Sequence, residues 1–521
     1  MELTTKGRYA VMAMADLASH ADQAAMPLSA VAERQHLPLP YLEQLFVPLR
    51  RTGLVESARG RAGGYRLAKH PSEISVAAVM AAVDEATHFT RCSEDDPRCS
   101  IATPCLTHAL WSALSEATSE FLASVSLADI ISGGKYSART VTGAGSASRS
   151  RAYLDYNATA PLRPEAKVAM IAALDAVGNP SSVHAEGRQA RAVVEAARES
   201  VARLVGAKPS EIVFTSGASE ANAWMMAQPW TTILTSGIEH DSVLAPVRAA
   251  NANVVMLPVG RDGIVAVEEI ADHILKRGVA GSAVVALQMA NNETGVIQPV
   301  ADVAEFARAH GVAVHSDAVQ AAGRLPIDFA ALGLDTMAIS AHKLGGPKGI
   351  GALVIRDHLD LVPLLRGGGQ ERRRRAGTEN VAAIAGFGAA ADVACSELER
   401  MSAVQSLRDD LEAHIRGISP QAVIVGDTAP RLANTISVAL PGKLAETLVI
   451  RLDLAGIAVS AGSACSSGKV GASHVLEAMG LGSEIASSTI RISLGPMTTR
   501  NDIAAFVDAW QQIAGASAIA A

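Results

Sequence analysis

The sequence predicts two folds in one chain: a small, mainly α winged helix-turn-helix domain and, after it, a large doubly wound α/β domain. Three observations carry this. The 521 residues exceed what one core ordinarily serves. Residues 1 to about 132 space their apolar positions as helices do, whereas from Tyr153 onward helical stretches alternate with short β-rich runs such as EIVFTS, TTILTS, NVVMLPV, AVVALQMA and VAVHSDA. Between the halves, GGKYSARTVTGAGSASRSR has no apolar periodicity and reads as a flexible linker, with a span of roughly 20 to 25 Å. The expected boundaries are 1–132, 133–151 and 152–521.

Composition narrows the function classes. Hydrophobic residues make up 49% and charged residues 19%, which argues against global disorder. The formal net charge of -7 provides no global basic field for nucleic acid, so any such contact must come from a local patch. No apolar run approaches the roughly 18 residues of a membrane span; the run from Val381 is stopped by Asp392. The start, MELTTKGRYAVMAMADLA, carries no cleavage pattern of a secretory signal. The cytoplasm is therefore the expected compartment, with no membrane partner. Five cysteines are too few for a disulfide scaffold.

In the first half, Pro27 to Arg66 runs helix, turn at His36 to Pro38, second helix from about Leu39, then a Gly-rich hairpin, which is winged helix-turn-helix order. Pro48 inside the second helix is expected to bend it. Arg50, Arg51, Arg59, Arg61, Arg66 and Lys69 stand against a single acid, Glu56, and form the local basic patch. Phosphates would lie on this patch while Tyr41, Glu43 and Gln44 meet base edges; the competing reading is a solvated charged face. Cys92, Cys99 and Cys105 with His108 offer three thiolates and an imidazole, a set suited to zinc or to an iron-sulfur cluster.

With those residues in view, LTTKGRYAVMAMADLA, YLEQLF, GLVESARG, GGYRL and CLTHALW resemble the IscR-type iron-sulfur-responsive transcription regulators over residues 1 to 132. The resemblance implies a [2Fe-2S] cluster on Cys92, Cys99, Cys105 and His108, and a DNA operator as partner.

In the second half, SAHKLGGPKGIG places Lys343 after a histidine and before a Gly-rich stretch; a Schiff-base lysine must be held near a pyridoxal phosphate ring, and Lys343 is the candidate, with Lys348 competing for the part. Asp317, ending the strand in VHSDAVQ, would hold a pyridine nitrogen protonated. TSGASEAN follows the strand EIVF and opens a helix, so the N–H groups around Gly217, Ala218 and Ser219 face a phosphate at a positive helix end. Cys465 lies in the Gly/Ser-rich SAGSACSSGKVGASHVL, where nucleophile and ordinary loop thiol look alike. Cys395, in the helix-like AAADVACSELE, is expected in the core, and the run RRRR at 372–375 is expected to be solvated.

Taken in order, YLDYNATAPL, TSGASEAN, IEHDSV, NNETG, HSDAVQ, SAHKLGGPKG, RRAGTEN, GSACSSG and STIRISLG closely resemble the NifS/IscS-type cysteine desulfurases from about Tyr153 to the C-terminus. The resemblance implies a fold-type I pyridoxal-phosphate-dependent transferase with a smaller α+β C-terminal subdomain. It further implies Lys343 as the cofactor lysine, His240 stacked on the ring, Asp317 on the ring nitrogen, and Gln320 and Asn292 beside the ring hydroxyl. Ala218, Ser219, Ser340 and His342 would bind the phosphate, with Thr378 reaching it from the partner of a homodimer. Asn157 and Arg491 would bind the substrate, and Cys465 would carry the persulfide. The expected function is conversion of L-cysteine to L-alanine, with sulfur passed to an iron-sulfur scaffold or other acceptor, in a chain that also binds DNA. The rivals are a selenocysteine lyase or aminotransferase, and a regulator without enzymatic activity.

Overall fold

The computed structural model describes residues 5–20, 25–58, 63–85, 108–132, 151–276, 282–462 and 473–515. It divides into two compact units, Met1–Ala147 and Ser148–Ala521.

In the first unit, helices Thr5–Ser19, Leu28–Gln35 and Leu39–Arg51 precede an antiparallel pair, Val55–Ala58 with Gly64–Leu67. The first turn ends where His36 takes a left-handed φ of 53°. In helix Leu39–Arg51 the buried residues Leu42, Leu45, Phe46 and Leu49 recur at helical spacing, and Pro48 sits inside without ending the helix. The wing is held down by Met26, which exchanges backbone hydrogen bonds of 2.9 and 2.7 Å with Tyr65, whose ring meets Phe46 edge-on. That approach requires Gly64: a Cβ there would lie 2.1 Å from the Met26 backbone. Helices Val76–Ala82 and Leu127–Ile131 close the core with Val79 and Leu127.

The second unit is built on a seven-stranded sheet in the order Ile212–Thr215, Gly351–Ile355, Thr336–Ser340, Ala313–Asp317, Ala283–Ala286, Thr232–Ser236, Asn253–Leu257. Gly351–Ile355 runs antiparallel to both neighbours, and the remaining pairings are parallel. Side chains alternate between two cores. Phe214, Leu234, Val285 and Ile339 face one layer, and their chain neighbours Val213, Ile233, Val284 and Ala338 face the other. This two-sided burial explains why the strands read as continuous apolar runs. The edge strand Asn253–Leu257 is the exception, with Asn253 and Met256 exposed.

Helices Ala185–Val205 and Val381–Ser396 pack closely where Gly388 meets Ala197, since a Cβ on Gly388 would come within 2.6 Å of Ala197. A third core serves a smaller α+β subdomain. There the sheet Val423–Ile424, Thr435–Ala439, Thr489–Ser493, Ser460–Ala461 packs on helices Met401–Ile418, Ala445–Leu454 and Arg500–Gly515. Ala152–Tyr153 pairs in parallel with Ile457–Ala458, so the start of this unit belongs to the subdomain and delivers Asp155, Tyr156 and Asn157 to the seam. No single described helix is long and apolar enough to cross a membrane.

Two expectations are corrected. Cys395 is exposed, because it falls on the outward side of the last turn of helix Val381–Ser396. The arginine run is only half solvated: Arg372 and Arg373 are exposed, but Arg374 donates to the Ser210 carbonyl and Arg375 pairs with Glu220.

Candidate active site

A cavity of about 620 Å³ opens where strands of the large sheet end, as expected for an α/β sheet. Lys343 and Lys348 both line it. They differ in surroundings. Lys348 is exposed, whereas Lys343, in the short turn after strand Thr336–Ser340, donates through Nζ to the carbonyls of Asn157 and Ala158.

Asp317 ends its strand with Oδ1 accepting from Val319 N at 3.0 Å and Oδ2 accepting from Asn222 Nδ2 at 2.7 Å. Asn222 also donates to Ser242 Oγ and bonds to His315, which reaches Thr336 Oγ1. Burial drops the His315 imidazole to about 3, so it is a neutral relay at ordinary pH. His240 caps helix Asp241–Ala249, its Nδ1 accepting from Ser242 N at 3.0 Å. With Nδ1 accepting, the ring proton belongs on Nε2.

Ala218 and Ser219 begin helix Ala218–Met226 directly after strand Ile212–Thr215, and both line the cavity. A Cβ at Gly217 would meet nothing within 4 Å, which leaves open space beside the helix end. Ser340 and His342 lie on the same wall; burial, then Lys343 and Lys348, push the His342 ring down to about 4. Asn292 and Gln320 line the cavity as well.

Arg491 is almost wholly buried. Its Nη2 donates to Asp155 at 2.8 Å and Nη1 to the Asn292 carbonyl at 3.1 Å, while Nε has no partner among the described residues. A buried N–H without an acceptor is costly, and a carboxylate arriving beside it would supply one. An Arg491→Ala chain is expected to show a KM for an α-amino acid substrate raised roughly 10- to 100-fold, read from initial rates.

Asn157 is saturated: Nδ2 donates to the Asn292 carbonyl and Thr435, and Oδ1 accepts from Arg324 and Asn434. It braces the seam with its side chain. Thr378 does not line the main cavity; it is exposed on a neighbouring one with Ser216, Gly349 and Arg375.

Sequence reasoning missed four polar groups. Asn222 and Arg324 are the hubs just described, and Arg324, buried among carbonyls, is lowered to about 9 by burial and by Arg491. Glu220 accepts from Ser216 N at the turn that opens helix Ala218–Met226. Glu293 accepts from Ser473 Oγ, and burial raises its carboxyl from 4.5 to about 7 against the opposing pull of Ser473, His474, Arg491 and His240. The signal for Glu220 and Glu293 stood in TSGASEAN and NNETG. Because the folded acid of Glu293 holds its proton more tightly than the unfolded one, its contribution is present below about pH 4.5 and is lost as pH rises through about 7. Glu293→Gln is expected to flatten the stability profile across that window in denaturant titrations.

Pyridoxal phosphate fits these residues: an amine, a strand-end carboxylate and an open cradle at a helix N-terminus share one cavity. Cys465, Cys92, Cys99, Cys105, Arg59 and Arg61 lie outside the described residues. His108 opens helix His108–Ser124. In the first unit Glu43, Gln44, Arg50 and Arg51 are exposed on helix Leu39–Arg51. Tyr41 is half-buried edge-on against Tyr9, and Arg66 is engaged by Glu56 at 2.9 Å.

Residues 152–506 match the aminotransferase class-V family model, and residues 3–133 match that of the Rrf2 iron-dependent transcriptional regulators. A cysteine desulfurase IscS of Dictyoglomus turgidum is 38% identical over 373 residues, covering 69% of this chain and 94% of the relative. An IscS-like cysteine desulfurase of Mycobacterium tuberculosis is 40% identical, covering 68% and 94%. The X-ray structure of a NifS-like protein from Rickettsia africae superposes with a TM-score of 0.66 at 37% identity, covering 70% of this chain and 99% of that one.

Proposed function

The chain belongs to the aminotransferase class-V family, as a pyridoxal-phosphate-dependent cysteine desulfurase carrying an Rrf2-family domain ahead of the enzyme; from this premise we propose that it moves the sulfur of L-cysteine onto Cys465 and releases L-alanine. The observation that carries the reading is the convergence of Lys343, Asp317, His240 and Arg491 on one cavity.

Lys343 would hold the cofactor, Asp317 its ring nitrogen, and Ala218, Ser219, Ser340 and His342 its phosphate, with Gln320 and Asn292 beside the ring. When bound, pyridoxal phosphate supplies an electron sink for bonds at the substrate Cα. The chain's own residues do the rest. Arg491, on the cavity wall, orients the substrate carboxylate. Lys343, held near the Asn157 and Ala158 carbonyls, takes up and returns a proton at Cα. His240, with its Nδ1 occupied by Ser242, presents an Nε2–H to the cavity. The Cys465 thiolate attacks the substrate sulfur, the electron pair of the breaking Cβ–S bond passes to Cβ, which takes up the proton given up by the substrate thiol, and alanine leaves with the sulfur held on Cys465 as a persulfide anion for a scaffold or other acceptor.

For the first unit the reading is a dimeric DNA-binding regulator with a [2Fe-2S] cluster on Cys92, Cys99, Cys105 and His108, its operator met by the exposed face of helix Leu39–Arg51. The enzyme domain is read as residues 152–521 behind a 133–151 linker, working in the cytoplasm as a homodimer in which Thr378 serves the partner's site.

The test is to incubate anaerobically purified full-length protein with L-cysteine, quantify alanine, and map the transferred sulfur by peptide mass. Alanine with extra sulfur on the Cys465 peptide supports the reading. Cofactor absorption without alanine, or sulfur elsewhere, overturns it. In the same sample, Cys92→Ala is expected to remove a separate visible cluster absorption.

A further inference from the structure

Glu220 poses an electrostatic problem for the cofactor reading, on which this inference rests. It lies in the first turn of helix Ala218–Met226 and lines the same cavity wall as Ser216 to Ser219. Its carboxylate occupies the Ser216 N–H at 2.7 Å and offsets the positive helix end that a phosphate dianion would need. Burial would raise the Glu220 carboxyl, yet Arg375 and Ser216 hold it below its ordinary value, so it stays anionic. Its side chain is only 11% exposed, so water screens the charge poorly.

One cation answers that charge directly. Arg375 Nε lies 2.9 Å from Glu220 Oε1, and Nη2 lies 3.2 Å from Oε2, a two-point contact. The segment that presents Arg375 is itself pinned. Glu371, Arg372 and Arg373 hold left-handed φ values of 45°, 57° and 67°, a conformation that non-glycine residues rarely adopt. Glu371 is locked to Arg198 and to Phe214 N, and Arg374 is bonded to the Ser210 carbonyl. Of these partners, Phe214 lies on the strand that leads into the Ser216–Ser219 turn and Ser210 immediately before it, while Arg198 lies on helix Ala185–Val205.

We propose that Arg375 is a positioning residue for the cofactor phosphate: it neutralises Glu220, so that the turn Ser216–Ser219 presents net positive character to the dianion. Arg375 touches the acid and acts through it.

The test uses full-length protein stripped of cofactor and titrated, in separate experiments, with pyridoxal phosphate and with pyridoxal, which lacks the phosphate. Arg375→Ala should weaken pyridoxal phosphate binding about tenfold or more while leaving pyridoxal binding unchanged. Adding Glu220→Gln to that variant should restore pyridoxal phosphate affinity to within about threefold of the parent. A double variant as weak as the single one overturns the proposal. So does an equal loss for both ligands, which would mark Arg375 as a structural support only. If the unsubstituted chain binds neither ligand, the cofactor reading falls and takes this proposal with it. If it binds pyridoxal phosphate and Arg375→Ala binds equally well, only the proposal falls.

Discussion

A Cys465→Ser chain is expected to release alanine from L-cysteine at least about a thousandfold more slowly than the parent. The serine hydroxyl keeps its proton at neutral pH and is a poor nucleophile toward sulfur, whereas a thiolate is a good one. Substrate binding should survive, because Lys343, Asp317, His240 and Arg491 are untouched and line the cavity without it. Two measurements separate these effects: amino-acid analysis for alanine, and the change in cofactor absorption when L-cysteine is added. Loss of the first with retention of the second assigns the sulfur-accepting step to Cys465. Unchanged alanine release would mean that sulfur departs without a protein nucleophile, as in the lyase alternative.

The largest stability effect is expected at Glu371. Its carboxylate and the Arg198 guanidinium are 3% and 6% exposed and meet through two bonds of 2.8 and 2.9 Å, while Phe214 N donates to the same acid. Glu371→Ala leaves the buried Arg198 with only the half-exposed Glu195 and the Ile212 carbonyl, and Phe214 N without its acceptor, a loss of about 3 kcal/mol. The denaturation midpoint should fall at an unchanged slope. Asp357→Ala, which removes the exposed bridge to Lys208, should leave the midpoint where it was.

Much of this architecture was legible because it depends on local pattern. Strands such as AVVA and TMAIS are buried on both faces, and that leaves an unbroken apolar run in the sequence. The placement of Lys343, Asp317, Ala218 and Ser219 on one cavity was legible for a related reason: each sits at a strand end or helix start, where local sequence signals are strong. The brackets behind them were not. Asn222 and Asp317 are 95 residues apart, Arg324 and Asn157 167 apart, and Glu293 and Ser473 180 apart. Nothing in the spacing of such pairs announces that they touch. Asn157 adds a role that its motif did not announce, since it lines the cavity while its amide also braces the seam. Cys395 was misjudged because an apolar helix does not reveal which side its last turn shows to water. The arginine run misled in a similar way, since composition could not foretell that two of its four side chains would be captured.

The pairing of Ala152–Tyr153 with Ile457–Ala458 has a consequence for the order of events during synthesis. The first strand of the enzyme leaves the ribosome about 300 residues before its partner, a delay of roughly 15 to 60 s at ordinary elongation rates. The regulator half has its whole sequence available long before then and needs no residue from the enzyme for its described core. Nascent chains therefore pass through a stage in which the whole first unit has emerged ahead of an enzyme whose smaller lobe is still open. Premature termination anywhere before Ile457 leaves that lobe without its closing strand.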